Sequence, residues 1–223
     1  MRDYRPKSQL LAICLLLLSM GLAGCLSHTD ATPQALTYNL PTTLSISRGM
    51  ALPGTGIVYE APADEGVYLT INGQRALKRI GDSVQWSGPL AAETEAKLDL
   101  RLVWTSAEKV DLAGTAEVVI RDAAPQSGTA ITSSTVSFGG PVAYGVAQGS
   151  YIPGTTLTYV GETEQGAELG GLYNEFPYRQ IGDSIVWEGS LRDGVYLRTE
   201  LRTVQYDRNG LRLAGVATLW LGQ

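Results

Sequence analysis

The feature that most constrains the fold of this chain is an internal repeat at an offset of 100 to 101 residues. The segment IGDSVQWSGPL (80–90) aligns with IGDSIVWEGSL (181–191), and 7 of the 11 positions are identical. Pro53-Gly54-Thr55 aligns in the same way with Pro153-Gly154-Thr155. A repeat of about 87 residues is long enough to bury a small core of its own. The sequence therefore predicts two homologous modules in tandem.

The repeat divides the chain into five parts. Residues 1–24 form a leader, 25–34 a polar tether, 35–121 the first copy, 122–134 a linker and 135–222 the second copy. The linker is rich in small and polar residues and contains a proline, which is typical of a domain boundary. We expect copy one and copy two to fold separately. The alternative is one larger barrel or sandwich built from both.

Both copies carry the period-two alternation of β-strands, and helical periodicity is absent. In copy one the apolar residues from Val110 to Ile120 share one face, which Gly114 interrupts. Gly215 interrupts the matching face of copy two, so we expect a backbone or a bulky side chain to approach closely at both glycines. Seven or eight short strands per copy predict an all-β fold class, with two tandem small β-sandwich or β-barrel domains. The pattern leaves sandwich and barrel open.

The first 25 residues have the features of an export signal. Basic residues precede an apolar run from Leu10 to Leu18, which is shorter than the roughly 20 residues of a membrane-spanning helix. The segment ends in Leu22-Ala23-Gly24-Cys25. This ending resembles the lipobox of bacterial lipoprotein precursors. The resemblance implies cleavage before Cys25 and lipid attachment to that cysteine, with several acyl chains as a stable membrane anchor.

The residue after the cysteine bears on the membrane that the anchor enters. In lipoproteins of two-membrane bacteria, an aspartate at that position often causes retention at the inner membrane. Leu26 stands there in this chain. The resemblance therefore leaves open the outer membrane and the extracytoplasmic face of the cell membrane.

Composition excludes several classes of chemistry. The single histidine, His28, lies in the tether, and the two cysteines are Cys14 in the leader and Cys25. A Ser-His-Asp or Cys-His centre and a zinc site both need such side chains held in a folded domain, so we expect neither metal nor cofactor. Acidic residues outnumber basic ones by 22 to 17, without a cluster of Lys and Arg. Nucleic acid is therefore not an expected partner.

The repeated IGDS motif offers two interpretations. Asp82 and Asp183 could be the carboxylate pair of a glycan hydrolase, which needs its two carboxyl groups about 5 to 9.5 Å apart. The favoured interpretation is a turn, because Gly-Asp suits the centre of a type II′ hairpin. The residue pairs expected across these hairpins are Leu77 with Trp86 and Tyr178 with Trp187.

Tyrosines are concentrated in the second half of the chain. Tyr outnumbers Phe by 11 to 2, and most of the tyrosines lie in copy two. Tyrosine is a good strand residue, but exposed tyrosines also supply rigid, amphipathic contact area. The candidate partner-binding surface in copy two consists of Tyr151, Tyr173, Tyr178, Tyr196, Arg202 and Tyr206.

These observations predict a bacterial envelope lipoprotein that is anchored to a membrane through Cys25. Its duplicated β modules are expected to have a non-enzymatic binding or assembly role, with an envelope protein or a glycan as partner. One alternative is the carboxylate-dependent glycan hydrolase with Asp82 and Asp183 in a shared cleft. Another is a lipocalin-like carrier that encloses an apolar ligand in a barrel.

Overall fold

The computed structural model describes residues 35–129, 136–173 and 175–222. The leader, Cys25 and the tether lie outside the described residues. Within these ranges the chain is all-β, as the alternation predicts, and its strands form antiparallel sheets. No helix in the described part of the chain is long and apolar enough to span a membrane.

Copy one contains seven strands in two sheets. The larger sheet has the order β1-β7-β6-β5, and the smaller has the order β2-β3-β4. The strands are β1 (Leu36–Ser47), β2 (Ile57–Ala63), β3 (Gly66–Ile71), β4 (Gln74–Lys78), β5 (Ser83–Ala91), β6 (Thr94–Thr105) and β7 (Lys109–Ile120).

Copy two has the same strand order with one strand added at an edge. Its larger sheet is β8-β13-β14-β15-β9, and its smaller sheet is β10-β11-β12. The added strand β8 comes from the expected linker, so part of that linker belongs to the second sheet. The strands are β8 (Gln126–Ser127), β9 (Val136–Val146), β10 (Thr158–Thr163), β11 (Gly166–Gly170), β12 (Tyr178–Arg179), β13 (Ser184–Arg192), β14 (Val195–Asp207) and β15 (Gly210–Leu221).

The mid-strand glycines lie where the backbone of a neighbouring strand leaves no room for a side chain. A Cβ atom on Gly114 would lie 2.0 Å from the carbonyl oxygen of Asp99, on the neighbouring strand β6. A Cβ atom on Gly215 would lie 2.0 Å from the carbonyl oxygen of Glu200, on β14. The expected close approach is confirmed, and the approaching group is backbone in both copies.

The two larger sheets meet where β1 contacts β9, without hydrogen-bonded pairing between these strands. Pro41 and Pro141 occupy matching positions in the two strands, and proline has no N–H to donate to a ladder. Pro41 packs against Gly140, where an added Cβ would lie 2.7 Å from the proline Cδ. The prolines therefore remove one N–H donor from each strand at the place where the two sheets adjoin.

Buried side chains of both copies form one continuous hydrophobic cluster, and the described residues belong to one compact unit. Tyr38 of copy one lies against Tyr144 of copy two within this cluster. Gly154 also faces copy one, because an added Cβ would lie 2.3 Å from the hydroxyl oxygen of Tyr38. Contacts between the copies thus contribute to the core. Separate folding of each copy stays a prediction.

Candidate binding face

The first IGDS motif forms a tight turn that connects the two sheets of copy one. The Asp82 N–H donates to the carbonyl oxygen of Arg79 at 3.0 Å, so Ile80 and Gly81 are the central residues. Gly81 has φ +94°, the positive value that a type II turn requires at its third position. The Asp82 carboxylate accepts a hydrogen bond from the Arg79 N–H at 2.8 Å. The aspartate therefore closes its own turn.

The second motif repeats this geometry. The Asp183 carboxylate accepts from the Gln180 N–H at 2.7 Å, and Gly182 has φ +91°. The Arg202 guanidinium donates to the carbonyl oxygen of Gly182 at 3.0 Å, as Arg101 does to Gly81 in copy one. Both arginines thus attach the turn to the adjacent long strand.

The expected hairpin across each turn is wrong. Strand β4 pairs with β3, and β5 pairs with β6, so the turn joins strands of different sheets. The turn is also type II, centred one residue earlier than the expected type II′ turn. The observed pairs are Leu77 with Tyr68, Trp86 with Leu98, Tyr178 with Glu168 and Trp187 with Thr199.

The candidate tyrosines of copy two do not form one surface. Tyr196 and Arg202 are six residues apart along β14, which separates them by about 20 Å. Tyr206 is partly buried against the core. Tyr151 pairs with Thr158 at the start of β10, and Tyr178 lies in β12 of the same small sheet. Only Tyr151 and Tyr178 are thus placed on the small sheet, and Tyr173 lies on the loop between β11 and β12, 88% exposed.

The outer face of the small sheet in copy one, called the copy-one face, is occupied by a polar network. Arg75 donates to the Glu60 carboxylate at 2.6 Å, and its guanidinium carbon lies 3.6 Å above the centre of the Tyr68 ring. The Thr70 hydroxyl also donates to Glu60. The bond from Thr70, together with Arg75, lowers the pKa of Glu60. The copy-one face consists of Ala51, Val58, Glu60, Tyr68, Thr70, Arg75 and Leu77.

The matching face of copy two, called the copy-two face, has the same strand register but different side chains. It consists of Tyr151, Thr158, Val160, Glu168, Gly170, Phe176 and Tyr178. Phe176 replaces the arginine of the network, and Val160 replaces its glutamate. Tyr151 is 66% exposed and Phe176 is 68% exposed. The polar network is therefore replaced by an exposed aromatic and aliphatic surface.

The segment from Glu175 to Arg179 is held by hydrogen bonds. Arg179 donates to the carbonyl oxygens of Phe176 and Tyr178 and to the Glu175 carboxylate. The rings of Phe176 and Tyr178 contact edge to face, with their centres 5.3 Å apart. These contacts restrain the exposed ring of Phe176 and the half-buried ring of Tyr178. Side chains that are restrained before binding lose less entropy on binding.

Sequence reasoning missed five of the seven members of the copy-two face, namely Thr158, Val160, Glu168, Gly170 and Phe176. Val160, Glu168 and Phe176 attract no attention singly, because the first two are ordinary strand residues and phenylalanine usually belongs to a core. The signal in the sequence was the alignment of the two copies. In that alignment Glu60, Tyr68 and Arg75 of copy one correspond to Val160, Glu168 and Phe176 of copy two. The alignment alone does not show that Glu60 and Arg75 form an ion pair, because their contact depends on how β2, β3 and β4 pair in the sheet.

Within the described ranges, no group of three or more His, Cys, Asp or Glu side chains is placed to hold a metal ion. Comparison with protein-family models, with curated proteins and with solved structures found no match to this chain.

Proposed function

We propose that this chain is a lipid-anchored protein of the bacterial cell envelope and that its duplicated β module binds a partner through the copy-two face. The lipobox-like segment Leu22–Cys25 supports the anchor. The role is binding or assembly rather than catalysis, and the partner is an envelope protein or a glycan.

The observation that carries this proposal is the difference between two faces of equal architecture. In copy one, Glu60, Thr70 and Arg75 satisfy one another on the outer surface. In copy two the corresponding side chains leave apolar and aromatic surface exposed to water. Contact surfaces are enriched in aromatic residues, and their cores are depleted in charge. The copy-two face is rich in exposed aromatic and apolar side chains, as such contact surfaces are. The copy-one face has the same architecture without this exposed surface, so it serves as a comparison within the same chain.

The geometry of the IGDS turns supports binding over the hydrolase alternative. The carboxylates of Asp82 and Asp183 are each engaged by a backbone N–H of their own turn. Such a hydrogen bond is the usual structural role of an aspartate in a turn.

The face is tested with a photo-crosslinking amino acid in the full-length protein, expressed in the native bacterium. The probe replaces Tyr151 in one variant and its counterpart Ala51 in a second. Both positions are exposed and form a single bridge to the first residues of their small sheet. We expect discrete adducts from position 151 and none from position 51. Equal adduct patterns, or none from either position, would contradict the proposal.

The anchor is tested separately. Cells fed a radiolabelled fatty acid such as palmitate should label the wild-type chain, and Cys25→Ser should abolish both the label and membrane association. Continued labelling of the Cys25→Ser variant would show that the lipobox interpretation is wrong.

A further inference from the structure

We infer that the partner of the copy-two face presents an arginine side chain to it, so that the binding site is a carboxylate beside aromatic rings. This inference deepens the proposed function and rests on it. Its basis is that copy one contains such an arginine in its own chain, whereas the copy-two face has a carboxylate and aromatic rings without an arginine.

The copy-one face shows which groups receive a guanidinium on this sheet. Arg75 stacks on the ring of Tyr68 and bonds the carboxylate of Glu60. A guanidinium over an aromatic ring gains cation–π attraction, and a carboxylate adds a charge-assisted hydrogen bond. These two groups together define an arginine site on the outer surface of the sheet.

The copy-two face also carries a carboxylate and aromatic rings, but at different ladder positions, since Val160 stands where copy one has Glu60. Glu168 occupies the position of Tyr68, directly opposite Tyr178 in the ladder, and opposite residues have Cβ atoms about 5 Å apart. The ring of Phe176 contacts the ring of Tyr178 edge to face. Glu168 forms no ion pair among the described residues. A carboxylate without a cation thus lies opposite the half-buried ring of Tyr178, which the exposed ring of Phe176 contacts.

Charge complementarity favours a cationic occupant. Between residues 158 and 178 the sequence contains four glutamates and neither lysine nor arginine. Glu175 is paired with Arg179, whereas Glu162, Glu164 and Glu168 have no ion-pair partner within the described part of the chain. The corresponding stretch of copy one supplies its own arginine. An arginine from a partner polypeptide would therefore meet on the copy-two face the same two kinds of group, a carboxylate and an aromatic ring, that Arg75 contacts in copy one.

The inference is tested with two fluorescent nonapeptides, one with three arginines among glycines and serines and one with citrulline at each arginine. Citrulline keeps the shape of arginine and removes its charge. Fluorescence anisotropy with the full-length protein in detergent should show at least tenfold tighter binding of the arginine peptide. The preference should weaken as salt rises, because partly exposed ion pairs are screened.

Three variants assign this binding to the copy-two face. Glu168→Gln removes the charge at constant size and should weaken the arginine peptide about tenfold. Phe176→Arg places an arginine where copy one has Arg75. This arginine would occupy the site from within the chain, so the variant should weaken binding of the arginine peptide by at least about tenfold. Glu65→Gln is the charge-matched control in copy one, where the second copy has Gln165, and should leave binding unchanged.

The outcomes separate this inference from the proposed function. Equal binding of the citrulline peptide, or an unchanged affinity in Glu168→Gln, would overturn the arginine site. Adducts from position 151 would then still support a binding face with another ligand. Absence of both peptide binding and adducts would overturn the two proposals together.

Discussion

Replacing Gly215 with alanine should destabilise the protein strongly, because β14 and β15 leave no room for a methyl group. The added Cβ would lie 2.0 Å from the Glu200 carbonyl oxygen and 2.8 Å from the Leu201 Cα. Both obstacles are backbone atoms of a long paired strand, so relief requires a shift of more than about 1 Å in the ladder. Overpacking usually costs about 1–3 kcal/mol, and a clash with backbone belongs at the upper end.

The assay is urea or thermal unfolding followed by circular dichroism. A loss of about 3 kcal/mol in a chain of this size lowers Tm by roughly 6–12 °C. Gly145→Ala on the neighbouring strand β9 is the matched control, because no heavy atom lies within 4 Å of its added Cβ. It should be neutral or stabilising by up to about 1 kcal/mol. Similar stability of the Gly215→Ala variant and the wild type would refute the close approach of the two strands.

Two further predictions concern the IGDS turn and the junction between the copies. Asp82→Asn keeps an acceptor for the Arg79 N–H and should be nearly neutral, whereas Gly81→Val forces a branched residue to positive φ and should cost about 1–3 kcal/mol in urea unfolding. Burial raises the pKa of Tyr144 to about 12, which a phenolate absorbance titration should detect. The pKa of Tyr144 in the folded protein exceeds the usual tyrosine value near 10. Burial of the neutral phenol therefore contributes fully to stability below pH 10, and this contribution is lost as the pH rises to about 12.

Each of these predictions has its own contradiction. Loss of stability in Asp82→Asn as large as in Gly81→Val would show that the carboxylate charge matters to the turn. An absorbance titration in which every tyrosine ionises near pH 10 before unfolding would show that Tyr144 is not buried against Tyr38. The Tyr144→Phe variant should lose one late-titrating group.

The local alternation of apolar and polar residues was sufficient to predict the strands, but it did not predict which strands pair with one another. The apolar face of β7 is buried as the alternation predicts, because period two directly reports which side of a strand meets the core. The segments on the two sides of Pro41 form one strand, β1, that continues through the proline. Proline is tolerated there because β1 is the edge of its sheet, and edge position is a property of the whole fold.

The turn between β14 and β15 shows how a side chain can decide the turn type. Its sequence contains the pair Asn209-Gly210, and Asn-Gly favours a type I′ turn. The hairpin instead has Arg208 and Asn209 as its central residues, and neither has the positive φ angle of a type I′ turn. The Asp207 carboxylate accepts hydrogen bonds from the N–H groups of Asn209 and Gly210. These bonds stabilise a turn in which neither central residue has a positive φ angle. Side-chain capping by Asp207 outweighs the Asn-Gly preference.

The candidate site was the hardest part to predict because it depends on pairing between strands. Composition identified copy two through its tyrosines, and the structure places only Tyr151 and Tyr178 of that set on the face. The importance of Glu168 follows from its position opposite Tyr178, which no local pattern in the sequence reports. The replacement of the polar network by aromatic and aliphatic side chains can be recognised only when the residues of both small sheets are compared at matching strand positions.

The central claim, that the copy-two face is covered by a partner in the cell, is tested most directly by thiol labelling at matched positions. Thr158→Cys and Val58→Cys place one cysteine on the copy-two face and one on the copy-one face, at the same ladder position. Each is labelled with a membrane-impermeant maleimide in spheroplasts and after purification. We expect position 158 to react at least fivefold more slowly in the envelope than in the purified protein, and position 58 to react equally in both. Equal reactivity of position 158 in the two settings would contradict the claim.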